Sequence, residues 1–362
     1  MEIASILERY TDGYVLAFGG AAIGMIFGFF AQRSKFCLRA AVVEFWHRKL
    51  GEKISVWLLA FATAVVAVQT LILLGALDVG AARQLATKGS ISGALFGGLL
   101  FGAGMIMTRG CASRLLVLSA NGNLRALLSG LIFAVAAQAS LSGALSPLRT
   151  EISSWWTVDA GASRDLLAIS GVGHWGGLMF GLIWLAAALF FSIRSGWGLW
   201  KWLGGLGTGL AVAAAWWFSY TVASNSFQVV QIQGLTFSGP SAEWLMRVLT
   251  QPAAPIAFDF GLLPGVFFGS FIGAWIGKDL QLEGFKDGYS MRRYIAGAIL
   301  MGFGSMLAGG CAVGAGMTGG AIFAVTAWVT LLGMWLGAGI TDRMMDYEPA
   351  TKENATQTAK AT

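Results

Sequence analysis

Two apolar segments of this chain repeat one glycine pattern two hundred positions apart. Residues 97–112 read GGLLFGAGMIMTRGCA and residues 297–312 read GAILMGFGSMLAGGCA. Aligned without gaps, they agree at seven of sixteen positions, including the final Gly-Cys-Ala. Internal similarity of this kind indicates the overall architecture of a chain more strongly than any local motif does. We therefore expect a chain built from two related halves.

The composition indicates that both halves lie in a membrane. Of the 362 residues, 56% are hydrophobic and 12% are charged, and the mean hydropathy is +0.69. Soluble domains carry roughly twice that charged fraction. The apolar runs follow one another so closely that no independent soluble domain fits between them. We predict an all-α, polytopic integral membrane protein in which residues 1–362 form a single transmembrane domain.

About nine stretches are long and apolar enough to cross the membrane. A crossing needs about 20 residues in a helix. The predicted spans are 14–31, 54–77, 91–107, 124–143, 173–193, 199–219, 257–277, 292–308 and 320–341.

The basic residues predict the orientation of these spans. With the N-terminus outside, 18 of the 24 Lys and Arg residues fall on the cytoplasmic side, as the positive-inside rule requires. They are Arg33, Lys35, Arg39, Arg48, Lys49, Lys53, Arg109, Arg114, Arg125, Arg194, Lys201, Lys278, Lys286, Arg292, Arg293, Arg343, Lys352 and Lys360. The same placement in short loops accounts for the net charge of +6 without a nucleic-acid partner.

The span count also predicts that the two halves face opposite ways. Cys111 follows the third span and Cys311 follows the eighth, so the copies are shifted by five spans, an odd number. Inverted repeats of this kind are common in transporters. We expect inverted repeat 1 at 14–143, a connecting helix at 173–193, inverted repeat 2 at 199–341 and a disordered cytoplasmic tail at 342–362.

Three segments near the cysteines are predicted to interrupt the bundle. Spans three and eight are about 17 residues or shorter and end in glycine breaks, and such paired interrupted segments point to a substrate site. We expect re-entrant loops at 108–119 and 309–319, each leading into a short helix whose N-terminus points at the path. Residues 33–53 suit an amphipathic helix. Its counterpart is 233–240, where Phe237 and Ser238 take the places of Phe36 and Cys37.

The cysteines are the main candidates for binding. Cys37, Cys111 and Cys311 are too few and too scattered for a disulfide framework, and they lack the spacing of a metal site. A neutral thiol at a helix N-terminus can hold a sulfur-bearing anion weakly enough for release. Gly110 and Gly310 form the predicted breaks. Arg114 either attracts the anion or is an ordinary cytoplasmic loop residue.

Four motifs of the chain together resemble the YeeE/YedE family of sulfur-transport membrane proteins, which includes thiosulfate importers. They are Phe36-Cys37, Gly102 to Arg114, Thr236 to Pro240 and Gly309 to Gly316. The resemblance implies a bacterial inner-membrane carrier with no enzymatic activity and no cofactor. It also implies that Cys311 near the periplasmic mouth, Cys111 at the constriction and Cys37 near the cytoplasmic exit pass on the thiosulfate ion through transient S–H···S contacts. The family often works with a small TusA-type sulfur-carrier protein.

Three alternatives stay open from the sequence. The substrate can be another sulfur or selenium oxyanion. The chain can be a membrane thiol oxidoreductase, which requires two cysteines with Cα atoms within about 7 Å. It can also be a structural membrane protein with glycine-packed helices.

Overall fold

The computed structural model describes residues 11–48, 51–194, 196–249, 256–285 and 288–345. Eight helical segments within these ranges are long and apolar enough to cross a membrane. The fold is therefore all-α and polytopic, as predicted. The only strands of the described chain are two short ones, which form one antiparallel pair.

The secondary structure runs along the chain as follows. The helices are α1 (Asp12–Arg33), α2 (Leu38–Trp46), α3 (Glu52–Leu73), α4 (Arg83–Ala86), α5 (Ile91–Met107), α6 (Ala112–Ala120), α7 (Leu124–Ser142), α8 (Ser146–Ser154), α9 (Leu166–Ser170), α10 (Gly173–Arg194), α11 (Leu199–Asn225), α12 (Ser238–Leu249), α13 (Phe258–Gly277), α14 (Gly288–Ala308) and α15 (Val325–Met345). The strands are β1 (Gly89–Ser90) and β2 (Thr157–Val158), with a 3-10 turn at Ala162–Arg164 and a π-helix at Ala312–Gly319.

Most predicted spans coincide with long helices, and three details were wrong. α14 has 21 residues, so the eighth span is not short, because its helix already begins at Gly288. The ninth segment starts later than predicted and continues to Met345; it is not one of the eight candidate membrane-spanning segments. Residues 342–345 are therefore helical, and the remainder of the predicted tail lies outside the described residues.

The short helices also differ in part from expectation. Within 33–53, only Leu38–Trp46 forms a continuous helix of its own. The breaks after α5 and α14 lead into α6 and the π-helix, as predicted. The helices α4, α8 and α9, the two strands and the 3-10 turn were not predicted, because each has nine residues or fewer and carries no long apolar pattern.

Glycines at the crossings allow helix backbones to touch. On α1, Gly20, Gly24 and Gly28 face the backbone of α13 at Phe258, Leu262 and Val266. The residue numbers at these contacts increase together along both helices, so α1 and α13 run parallel. Small residues permit such close approach in membranes, where packing rather than burial from water holds helices together.

The crossing of α5 with α14 uses the glycines of the repeated pattern. A Cβ at Gly97 would meet the Gly304 carbonyl, and a Cβ at Gly104 would meet the Gly297 carbonyl. The residue numbers at the contacts therefore decrease along α14 as they increase along α5, so the two helices are antiparallel. The C-terminal ends of α5 and α14, and the cysteines that follow them, lie at opposite ends of this crossing.

The helix α10 is attached to the bundle mainly through α3. Gly177 faces Gln69, and Gly181 faces Val65 and Val66, so the two helices are antiparallel. Much of the remaining surface of α10 is exposed and apolar, including Trp175, Ile183 and Phe190, as expected for a helix that faces lipid.

The glycine contacts predict where a single methyl group is harmful. Gly265→Ala places its Cβ against the Ala21 carbonyl oxygen at the α1–α13 crossing and should cost about 1–3 kcal/mol of stability through overpacking. Gly130→Ala on α7 is the matched control, because no atom lies within 4 Å of the added group. Thermal unfolding in detergent should show a lower midpoint for Gly265→Ala alone; equal midpoints would contradict the packing described here.

Candidate functional site

All three cysteines occupy the same position in one local motif. Each follows a long helix by a short turn and stands immediately before the first residue of another helix: Leu38, Ala112 or Ala312. Two positions before each cysteine is a residue with positive φ, namely Lys35 (55°), Arg109 (58°) or Gly309 (77°).

The hydrogen bonds of the three turns are also the same. The residue before each cysteine donates its N–H to a carbonyl five positions earlier, at 3.0 Å from Phe36, 3.1 Å from Gly110 and 2.9 Å from Gly310. This bond and the positive φ are the marks of a Schellman helix end. The cysteine backbone is then extended and its carbonyl accepts the first bond of the next helix. Each thiol therefore lies beside the N–H groups at a helix start, which favour anions.

Cys37 and Cys111 form a pair. Their side chains interact with each other, and Cys111 Sγ lies 3.4 Å from the Ser113 hydroxyl. Cys111 is 1% exposed, whereas Cys37 is only partly buried. Pairing was not foreseen, because the sequence suggested separate positions along a path.

Arg114 lies beside this pair, in the first turn of α6. Its Nη1 donates to Gln32 Oε1 at 3.4 Å, and Gln32 Nε2 donates to Asp279 Oδ2 at 3.4 Å. The guanidinium is also within electrostatic range of both thiols. Gln32 is buried near the end of α1. The contacts from Asp279 through Gln32 to Arg114 therefore bring polar groups close to the two thiols. The arrangement places a fixed positive charge where an anion could approach the paired thiols.

Cys311 lies apart from the pair and is equally buried. Its Sγ accepts from the Gly314 N–H at 3.5 Å, within the first turn of the π-helix. The predicted counterpart segment packs here: Thr236 faces Gly314, and the Thr318 hydroxyl donates to the Leu235 carbonyl at 2.6 Å. The π-helix also contacts α6. The short helices that follow the two glycine breaks therefore contact each other.

Three phenylalanines connect the two interrupted regions. Phe27 lies between Phe36 and Phe237, with ring centroids 6.4 Å and 5.3 Å away. All three are at most 3% exposed. Phe36 precedes Cys37, and Phe237 precedes Ser238, which begins α12. This aromatic row fills the space between the Cys37 turn and the segment that covers the π-helix.

The two glycines predicted at the breaks are not equivalent. A Cβ on Gly310 would lie 2.9 Å from the Ala315 nitrogen, whereas the nearest atom to a Cβ on Gly110 is 3.5 Å away. Only Gly310 is required by close packing. Gly110 sits next to Arg114 and Leu115 with room for a methyl group.

Other site residues were missed by sequence reasoning. Gln32 lies in α1 and Asp279 follows α13, so only packing brings them to Arg114, whereas Ser113 is a sequence neighbour of Cys111 whose contact with the thiol depends on the fold of the turn. The spacing of Lys35, Arg109 and Gly309 from the cysteines was a signal that could have been read. Among the residues with described positions, no group of three or more His, Cys, Asp or Glu could hold a metal ion.

Comparison with known proteins gives consistent results over nearly the whole chain. The sequence model of a family described as Sulphur transport matches residues 33–340. A protein named thiosulfate transporter TsuA from Spirochaeta thermophila is 24% identical over 90% of this chain and 98% of its own length. A thiosulfate transporter TsuA from Escherichia coli is 24% identical over 94% of this chain and 97% of its own. The E. coli protein named probable transporter YedE is 29% identical over 32% of this chain and 29% of its own.

The contact between two thiols predicts a selective cross-link. Diamide accepts the two thiol hydrogens as a disulfide forms, and it should join Cys37 to Cys111 while leaving Cys311 free. Alkylation after unfolding, followed by peptide mass analysis, reads out the bridge. Cys37→Ala should abolish it and Cys311→Ala should not. A bridge that includes Cys311, or three free thiols, would contradict the pairing.

Proposed function

Because the chain belongs to the Sulphur transport family, we propose that it takes up thiosulfate across the membrane. Two relatives that match over nearly their full length are named thiosulfate transporters, and neither name denotes an enzyme. The observation that carries the proposal is structural: three thiols stand at the starts of helices, two of which follow glycine breaks within the bundle.

The proposed mechanism uses weak contacts from neutral thiols. A thiol donates S–H to the terminal sulfur of the ion, while helix N–H groups and their partial positive charge attract its oxygens. Neither contact supplies a full charge, so the ion leaves as readily as it binds, as conduction requires. Thiosulfate passes from Cys311 to Cys111 and then to Cys37. The contact between the last two thiols supports a direct transfer at that step.

We assign Arg114 to the attraction of the ion. Its guanidinium is close enough to act electrostatically on both paired thiols, and guanidinium groups suit oxyanions. Gln32 and Asp279 hold the side chain in place and partly offset its charge. Because its charge is partly neutralised, the arginine binds the ion less tightly and the ion can leave. Gly110 and Gly310 contribute by forming the turns that expose the helix starts.

The inverted-repeat architecture is part of the same proposal. The antiparallel crossing of α5 and α14 at matched glycines supports it. So do the reciprocal contacts of the two halves: α1 packs on α13 as α3 packs on α11, and α5 packs on α15 as α14 packs on α7. Repeat 1 covers 14–143, α10 is the connecting helix and repeat 2 covers 199–341.

We place the protein in the bacterial inner membrane, with the N-terminus periplasmic and the C-terminus cytoplasmic. The distribution of basic residues supports this orientation. It puts Cys37 and Cys111 toward the cytoplasm and Cys311 toward the periplasm. A TusA-type carrier protein would meet the basic cytoplasmic face, where it could receive the imported sulfur.

The loss of one thiol tests the proposal. Cys111→Ala should reduce uptake of sulfur-radiolabelled thiosulfate to the level of cells that lack the protein, because the central S–H contact is removed. Ser238→Ala is the matched control, since Ser238 is also buried at the start of a short helix but has no thiol; its uptake should persist.

Membrane insertion of both variants is checked by detergent-extracted yield and elution profile. Wild-type uptake by an inserted Cys111→Ala protein would refute the thiol path. Unlabelled sulfate, sulfite and selenite compete in parallel assays; stronger competition by one of these than by thiosulfate would assign the substrate to that oxyanion. Thiol oxidation coupled to substrate loss, without uptake, would instead identify an oxidoreductase.

A further inference from the structure

A small polar cavity lies beside the Cys111 turn. It has a volume of about 120 Å³ and is bordered by Arg109, Arg125, Glu283 and Tyr294. Four parts of the fold meet there: the turn after α5, the N-terminal parts of α7 and α14, and the loop after α13. Pockets for organic ligands usually exceed 300 Å³. This cavity has room for about four water molecules, and therefore for a small hydrated ion.

One of its two arginines is firmly positioned. Arg125 Nη1 donates to the Thr108 carbonyl at 2.8 Å, and its guanidinium carbon lies 5.0 Å from the centre of the Tyr294 ring. The wall opposite is fixed by backbone bonds at Glu283, whose N–H donates to Gly122 at 3.2 Å and whose carbonyl accepts from Leu124 at 3.0 Å. The cavity is thus shaped before any ligand arrives.

The other arginine occupies a backbone position that favours glycine. Arg109 has a φ of 58°, and the corresponding residue of the second copy is Gly309, with a φ of 77°. A non-glycine residue in this region costs free energy. Within the described part of the chain, the Arg109 side chain makes no hydrogen bond or ion pair. The exposed Arg109 side chain borders the cavity, where its guanidinium is available to a ligand.

The charges around the cavity favour an anion. Arg109 and Arg39 both act unfavourably on the Arg125 charge, and Glu283 acts favourably on it. The Glu283 carboxylate accepts a hydrogen bond from the Asn123 amide, so it is partly engaged elsewhere. Two guanidinium groups against one carboxylate leave a net positive cavity, and an oxyanion that accepts from both would relieve their repulsion.

We propose that this cavity binds a small divalent sulfur oxyanion as it leaves the thiol path. The inference rests on the proposed function and adds to it a binding site outside the cysteines. Arg109 is two residues from Cys111, and Arg125 holds the carbonyl of Thr108 in the same turn. An ion that leaves the Cys37–Cys111 pair on this side meets the two guanidinium groups at the surface predicted to be cytoplasmic.

Binding is measured on the purified full-length protein carrying Cys111→Ala, by calorimetric titration with sodium thiosulfate. Adding Arg109→Gly should weaken binding at least about tenfold, because a charge-assisted hydrogen bond is lost. Its thermal midpoint should stay equal or rise, since glycine suits the positive φ. Adding Glu283→Gln should tighten binding, because the opposing charge is removed while a hydrogen-bond acceptor for Asn123 remains.

Arg194→Gln at the end of α10 is the control for general charge, and it should leave binding unchanged. Absence of binding in the Cys111→Ala protein, or equal affinity with and without Arg109, would overturn the site. A lower affinity in the Glu283→Gln protein would also contradict the proposed site. Uptake by wild type and by Cys111→Ala tests the proposed function separately, so either idea can fail without the other.

Discussion

The backbone contact between α5 and α14 is the constraint on which the rest of the structure depends. Gly97 and Gly104 meet Gly304 and Gly297 in antiparallel register, and no larger residue fits at these points. The crossing positions the C-terminal ends of both helices relative to each other. It therefore also positions the turn and the cysteine that follow each helix. Because lipid offers helices no hydrophobic gain from association, this close packing carries much of the stabilisation.

The same crossing explains how irregular backbone is tolerated inside the bundle. The turns before Cys111 and Cys311 satisfy their own N–H groups through helix-end hydrogen bonds, and both cysteines are buried by surrounding protein. Non-helical backbone in a membrane survives only under such cover. The buried row of Phe36, Phe27 and Phe237 closes the space between the two regions.

The long helices could be predicted from the sequence, whereas the contacts between the site residues could not. Long apolar runs predicted nearly every long helix because a membrane span depends on length and hydropathy alone. The glycine pattern also predicted breaks after α5 and α14, and a turn and a short helix follow each of these helices. Contact between the Cys37 and Cys111 thiols could not be predicted, because it depends on how α2 and α6 pack. The same is true of the Arg114, Gln32 and Asp279 contacts, which join three separate elements.

An experimental structure of the protein soaked with thiosulfate tests the central claim most directly. The account predicts an ion whose terminal sulfur lies against the Sγ atom of Cys111 or Cys311, with its oxygens toward N–H groups of the helix that follows. Density for the ion on a route that touches none of the three cysteines would contradict the account.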